Sequence, residues 1–129
     1  MTQKVIFKGG SLELTMVNEN FLELIFDSKK RPINLFDQIT IDELIHVLSI
    51  AESQSNINGL MFSSAKSIFI AGADIDELGQ IFKSNNSRLK IFFDKVNMAF
   101  SKIESLPFPT VACIGGFALG GGFELCLTC

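Results

Sequence analysis

The stretch that most limits what this chain can fold into is Thr110-Val-Ala-Cys-Ile-Gly-Gly-Phe-Ala-Leu-Gly-Gly-Gly-Phe-Glu-Leu-Cys126. Val111 to Ile114, a short apolar run after Pro109, reads as a fully buried strand. Gly115, Gly116 and Gly120 to Gly122 then form a loop, and Phe123, Leu125 and Leu127 begin a helix. Without a Cβ, the backbone of such a loop can take positive φ and approach a ligand closely, so that N–H groups rather than side chains do the binding. Glu124 falls in the first helical turn, where the macrodipole favours its carboxylate form.

The preceding chain has the same grammar. Ser11 to Met16 alternates polar and apolar, Asn18-Glu19-Asn20 is a turn, and Phe21 to Phe26 completes a hairpin. A polar loop from Asp27 to Pro32 leads through Asn34-Leu35-Phe36 to a helix marked by Thr40 and Glu43 at capping-box spacing. Ile41, Leu44, Ile45, Leu48 and Ala51 form its buried stripe. Ile57 to Phe62 reads as a strand, with a polar loop from Ser63 to Ser67 and a second apolar burst at Ile68 to Ile70. Asp74 then caps a helix with Glu77 three residues on, and Ile75, Leu78, Ile81 and Phe82 are expected on its buried side. A longer helix is expected from Arg88 to Glu104, ended by Leu106-Pro107-Phe108-Pro109. Strands alternating with helices predict an α/β layer arrangement with parallel neighbours.

With 129 residues, 47% hydrophobic and 19% charged, the chain is one domain at most and globular. A net charge of −3 without a basic cluster gives no footprint for nucleic acid or an anionic membrane. Lys4 and Lys8 interrupt any signal-peptide core in Met1 to Gly10, and no apolar run reaches membrane-spanning length, so a cytoplasmic or organellar-matrix location is expected. Cys113, Cys126 and Cys129 are an odd set in apolar sequence and read as free thiols of a reducing compartment. The sequence stops at Cys129 inside an apolar helical pattern with no C-cap glycine or polar tail, and is expected to be the N-terminal part of a larger domain.

Ala71-Gly72-Ala73 and Gly120-Gly121-Gly122 each lie past the end of an expected strand and before a helix, the edge at which open α/β sheets bind ligands. Each can present free N–H groups, and two such donors converging would stabilise an oxygen that becomes anionic during reaction. Tight turns alone would explain the glycines equally well. A P-loop is excluded because Gly121 and Gly122 stand where Lys and Ser or Thr are required, and the glycines miss dinucleotide-fingerprint spacing. Cys126 and Cys129 lack a second pair or a nearby His, and buried helix thiols suffice to explain them. His46 has no ligand or triad partner in sequence and reads as structural or surface. Asp74, Asp76 and Glu77 are first-turn acids rather than a metal cluster, so no metal site is expected. The thirteen phenylalanines are core first; Phe82, Phe92 and Phe93 would line a channel only if a pocket opens that way.

Phe69-Ile-Ala-Gly-Ala-Asp-Ile-Asp-Glu-Leu78 and Pro109-Thr-Val-Ala-Cys-Ile-Gly-Gly-Phe-Ala-Leu-Gly-Gly-Gly-Phe-Glu-Leu125 together resemble the enoyl-CoA hydratase (crotonase) family. The start, from Phe7-Lys-Gly-Gly through Ile33-Asn-Leu-Phe-Asp, is similar to the hydratase end of fatty-acid oxidation complex α subunits, and the resemblance covers essentially the whole chain, residues 1–129. It implies the N-terminal portion of a crotonase-type ββα spiral, incomplete at the C-terminus. It implies β-oxidation chemistry, water added to 2-enoyl-CoA to give 3-hydroxyacyl-CoA.

By position, the resemblance makes Ala73 and Gly121 the two N–H donors of an oxyanion hole around the thioester carbonyl. Ala71 to Ile75 (Ala71, Gly72, Ala73, Asp74, Ile75) become the loop that cradles CoA, and Glu124 the first of two catalytic glutamates, a general base on water. Each donor would lower the enolate barrier by roughly 3 kcal/mol. No cofactor is implied, since CoA arrives within the substrate; the partners implied are a homo-oligomer or a thiolase subunit. Gly115 departs from the family's usual Asn, and Phe123 stands where a small residue is usual. The second glutamate would lie beyond Cys129, so the chain alone is expected to be inactive. The alternatives are a non-catalytic acyl-CoA-binding or interaction module, or another crotonase reaction such as enoyl-CoA isomerisation.

Overall fold

A computed structural model describes residues 3–129; Met1 and Thr2, the start of the stretch read above for a signal segment, lie outside the described residues. Five strands form one sheet in sequence order, β1 (Lys4–Lys8), β2 (Leu12–Asn18), β3 (Phe21–Phe26), β4 (Gly59–Ser64) and β5 (Thr110–Ala112). The pairs β1–β2 and β2–β3 are antiparallel, while β3–β4 and β4–β5 are parallel. Helix α1 (Gln38–Ser53) makes the first crossover, α2 (Ile75–Ser84) and α3 (Asn86–Glu104) the second, and α4 (Gly121–Thr128) follows β5. Among the described residues, no helix is long and apolar enough to cross a membrane.

Register explains the core. Leu12 faces Phe26 and Leu14 faces Leu24 across β2–β3, and Leu22 and Leu24 face Leu60 and Phe62 across β3–β4. One sheet face is therefore a continuous apolar surface, buried beneath Ile41, Leu44, Val47, Leu48 and Ala51 of α1 and Phe92, Ala99 and Ile103 of α3. Each Leu or Phe fully buried there contributes about 1.5–3 kcal/mol.

Several elements depart from the sequence reading. Strand β1 lies before the hairpin that the sequence predicts; its Lys4 and Lys8 ends suit an exposed sheet edge, where charge blocks further pairing. Strand β4 runs two residues later than expected, because Gly59 rather than Ile57 takes the first place in the ladder, opposite Phe21.

Asp37, not Thr40, caps α1, its carboxylate accepting from the Thr40 N–H at 2.8 Å. Glu43 is thereby released from a capping box. Its carboxylate instead accepts the N–H groups of Gly10, Ser11 and Leu12 at 2.7, 3.0 and 3.0 Å, tying the β1–β2 turn to α1. Asn85 starts α3 at Asn86, earlier than expected, by accepting from Ser87 N–H.

Half of the buried side expected for α2 is there. Ile81 is buried and Leu78 is partly buried against the core, whereas Ile75 and Phe82 are 81% and 62% exposed; the helix packs chiefly on α3. Nor is the last strand buried: Val111 and Ile114 are 55% and 52% exposed, since β5 is a three-residue edge with β4 on one side only. Cys126 is half-buried and Cys113 and Cys129 are exposed, so these are free thiols but not buried ones. His46 is exposed and meets Phe7 edge-on, with ring centroids 5.5 Å apart, as a surface residue should.

Candidate active site

Beyond the C-terminal end of β4 the chain turns through Ser67 and returns at Phe69-Ile70, extending the sheet by single bridges rather than by a further strand. Ile70 pairs in parallel with Ala118, through Ile70 N–H to Phe117 O (3.3 Å) and Leu119 N–H to Ile70 O (3.0 Å). On the other side Phe36 pairs in parallel with Ala73, through Phe36 N–H to Gly72 O (2.8 Å) and Asp74 N–H to Phe36 O (3.1 Å). The two glycine loops that the sequence singles out thus lie side by side, with residues 34–36 as a strap along the outer flank of the first.

Contact between the loops depends on missing side chains. Gly72 has φ of +98° and Gly120 φ of +51°, both in the left-handed region that disfavours a Cβ. A Cβ on Gly72 would stand 3.1 Å from Leu119 O, and one on Gly122 would stand 2.4 Å from Ile70 O. Beneath both loops lies the buried ring of Phe36, which a Cβ on Gly121 would approach to 3.1 Å and which meets Phe26 and Phe100 edge-on. One residue therefore supports the first loop with its backbone and the second with its ring.

The parallel bridge also fixes which N–H groups are free. In a parallel ladder, alternate residues direct their backbone groups to opposite sides. Gly72 O and Asp74 N–H point at Phe36, so the Ala73 N–H points away from it. Gly121 opens α4 behind Gly120, which has no side chain to cap the helix. Among the described residues, neither the Ala73 nor the Gly121 N–H donates to a protein acceptor. Glu124 lies in the first turn of α4 with its side chain exposed, its own N–H bonded to Gly120 O at 3.0 Å.

The other loop residues are more committed. Ala71 N–H is used by Asn34 O at 2.9 Å. Asp74 is buried; its carboxylate caps α2 by accepting the Glu77 N–H at 3.1 Å and pairs with Arg31, whose guanidinium also lies 3.9 Å from Asp37, the cap of α1. Glu77 accepts the Gln38 N–H at 3.0 Å, so these acids knit helix starts together. Ile75, at 81% exposed, is free for a ligand. Phe92 lines a cleft of 120 Å³ with Gln38, Ile41, Arg88 and Lys95, none of which belongs to the two loops, and Phe82 and Phe93 are exposed.

Sequence reasoning missed Arg31, Asn34 and Phe36. Arg31 and Asn34 are polar residues in a loop, where no periodicity marks them; Phe36 reads only as a core residue.

The enoyl-CoA hydratase/isomerase family matches residues 19–129 of the chain. Over 125 residues the chain is 36% identical to the fatty acid oxidation complex subunit alpha of Psychrobacter cryohalolentis and 38% identical to that of Idiomarina loihiensis, in each case covering 97% of this chain and 17% of the relative. Among solved structures, an enoyl-CoA hydratase from Bacillus anthracis superposes with a TM-score of 0.80 at 25% identity, over 92% of this chain and 45% of that one. An enoyl-CoA hydratase from Geobacillus kaustophilus superposes with a TM-score of 0.88 at 22% identity, over 99% of this chain and 46% of that one. The chain therefore spans about a sixth of the length of these curated relatives and less than half of these two solved neighbours.

Proposed function

The chain belongs to the enoyl-CoA hydratase/isomerase family, and from that premise we propose that it supplies the oxyanion-hole half of an enoyl-CoA hydratase of fatty-acid β-oxidation. The observation that carries this reading is the pair of unbonded N–H groups, Ala73 and Gly121, on loops in backbone contact. A 2-enoyl-CoA places its thioester oxygen between them. Glu124 takes a proton from water as the water oxygen bonds to the β-carbon, and the electron pair of the double bond moves onto the thioester oxygen as an enolate. Protonation of the α-carbon then gives 3-hydroxyacyl-CoA, and in the family that proton comes from a second glutamate with no counterpart at a matching position in these 129 residues. Within Ala71 to Ile75, the half-buried Ala71 and Ala73 and the exposed Ile75 are the residues open to the CoA end of the substrate, while Gly72 and Asp74 are buried behind them. No separate cofactor is required.

The protein that carries these residues works in the cytoplasm, as a homo-oligomer or joined to a thiolase subunit. The test is hydration of a medium-chain 2-enoyl-CoA by the full-length protein. Glu124→Gln is expected to lower kcat by about 10²-fold or more, the scale of general acid–base catalysis, and normal turnover by that variant would sink the assignment. The 129-residue chain alone is expected to give no measurable hydration.

A further inference from the structure

The Ala73 donor is only as well placed as the loop that bears it, and that loop is held by a side chain with no part in the chemistry. Asn34 is 2% exposed. The two hydrogens of its Nδ2 are shared among three acceptors in hydrogen-bond reach, Phe26 O (3.1 Å), Ser64 Oγ (2.9 Å) and Phe69 O (3.1 Å), and its Oδ1 accepts the Ser28 N–H at 3.0 Å. Its own backbone O accepts the Ala71 N–H at 2.9 Å. One residue thus joins the end of β3, the end of β4 and both sides of Ile70, three residues before Ala73. Ser64 extends the clamp: its Oγ donates to Ile68 O at 2.9 Å and accepts the Lys66 N–H at 3.0 Å, bracing the turn that leads into the loop.

The chemistry of the surroundings selects a carboxamide. Two carbonyls and a hydroxyl oxygen face the Nδ2 side and an N–H faces the Oδ1 side, so the site needs donors and an acceptor on one planar group. Asp in the same volume would set acceptor against acceptor in a buried place, and Ala would leave Phe26 O and Phe69 O without this donor.

We propose that Asn34 is the positioning residue of the oxyanion hole, fixing through Phe69 and Ala71 where the Ala73 N–H points. This rests on the reading of Ala73 as a hole donor. Misplacing a catalytic group by a fraction of an ångström lowers the rate without greatly altering how the rest of the substrate is held.

The test uses the full-length protein and a saturated acyl-CoA labelled with ¹³C at the thioester carbonyl, which binds without a double bond to hydrate. In the wild type, binding is expected to move the carbonyl stretch to lower wavenumber. In Asn34→Ala the bound band is expected back toward its free position, with kcat for a 2-enoyl-CoA down about tenfold to a hundredfold and KM within about twofold. A merely structural Asn34 would lower the fraction of folded protein but leave the band of the bound molecules where the wild type has it. That outcome overturns the proposal. A wild type that shifts no band overturns the donor reading itself, and so separates the two failures. If Asn34→Ala does not fold, Ser64→Ala, which removes one of the three acceptors, is expected to move the band in the same direction by less; an unmoved band there also overturns the proposal.

Discussion

At the scale of single residues, the glycines between Gly115 and Gly122 divide by what surrounds each of them. A Cβ on Gly116 would lie 2.0 Å from Ser67 O, and on Gly122 2.4 Å from Ile70 O, both backbone atoms that cannot rotate away. Gly122→Ala is therefore expected to destabilise by about 1–3 kcal/mol, the usual range for overpacking, read as a lowered urea midpoint. Gly115 has open space around it, so Gly115→Asn, which restores the residue the family commonly carries, is expected to change stability by less than about 0.5 kcal/mol in the same measurement. Sequence alone marked all five of these glycines as one loop; only their neighbours separate those that pack from the one that does not. Thiol chemistry is also a matter of surroundings. Although Cys126 is only half-buried and Cys129 exposed, partial desolvation by the surrounding apolar atoms pushes both thiols above the ordinary value of 9.0, so both hold less thiolate at mildly alkaline pH. Their alkylation by iodoacetamide, followed by mass spectrometry, is expected to be slower than that of free cysteine.

Among elements, helix α1 shows where pattern reading succeeds and where it stops. Its stripe Ile41, Leu44, Leu48 and Ala51 follows the helical period and is buried, because one face must meet the sheet. The role of Glu43 was illegible: capping-box spacing is local, and the partners that win its carboxylate, Gly10 to Leu12, lie more than thirty residues away. Glu43→Ala is expected to cost about 1–3 kcal/mol in urea unfolding, because three strand-turn N–H groups lose a charged acceptor. For α2 the period is right and the inference from it half right, since Leu78 and Ile81 pack inward while Ile75 and Phe82 of the same stripe are exposed. That the two glycine loops lie side by side was legible because Gly and Asp carry positional meaning; the Arg31–Phe36 strap was not, because its partners, backbone groups and the Asp74 and Ser64 side chains, are distant in sequence.

The loop after β3 carries a further pH-dependent contact. A hydrogen bond from Lys29, opposed by partial burial and supported by Lys66, holds the Asp27 carboxyl below its ordinary 3.8. A lowered folded value means that the stabilisation is complete above 3.8 and is lost as pH falls through the folded value. Asp27→Asn is expected to reduce the stability difference between neutral and acidic solution, measured as urea midpoint against pH, by a small amount because the pair is partly solvated.

For the whole molecule, one side of the sheet is a closed core and the β5–α4 side is open. Val111, Ile114, Phe117, Leu119, Phe123 and Leu127 are each more than half exposed. Contiguous apolar surface of this kind is rarely left bare in a monomer. The 129-residue chain is expected to bind an apolar dye and to sediment faster as its concentration rises. The single bridges that extend the sheet carry a different consequence, for tolerance to insertion and deletion. Backbone direction alternates along a parallel bridge, so one residue added between Ile70 and Gly72 and not absorbed as a bulge is expected to turn the Ala73 N–H toward Phe36, away from the side on which we propose that it binds an oxygen. Length there is constrained by direction, and the polar loop from Asp27 to Pro32 is tethered as well, because the Ser28 N–H bonds to Asn34 Oδ1 at 3.0 Å and Arg31 pairs with Asp74.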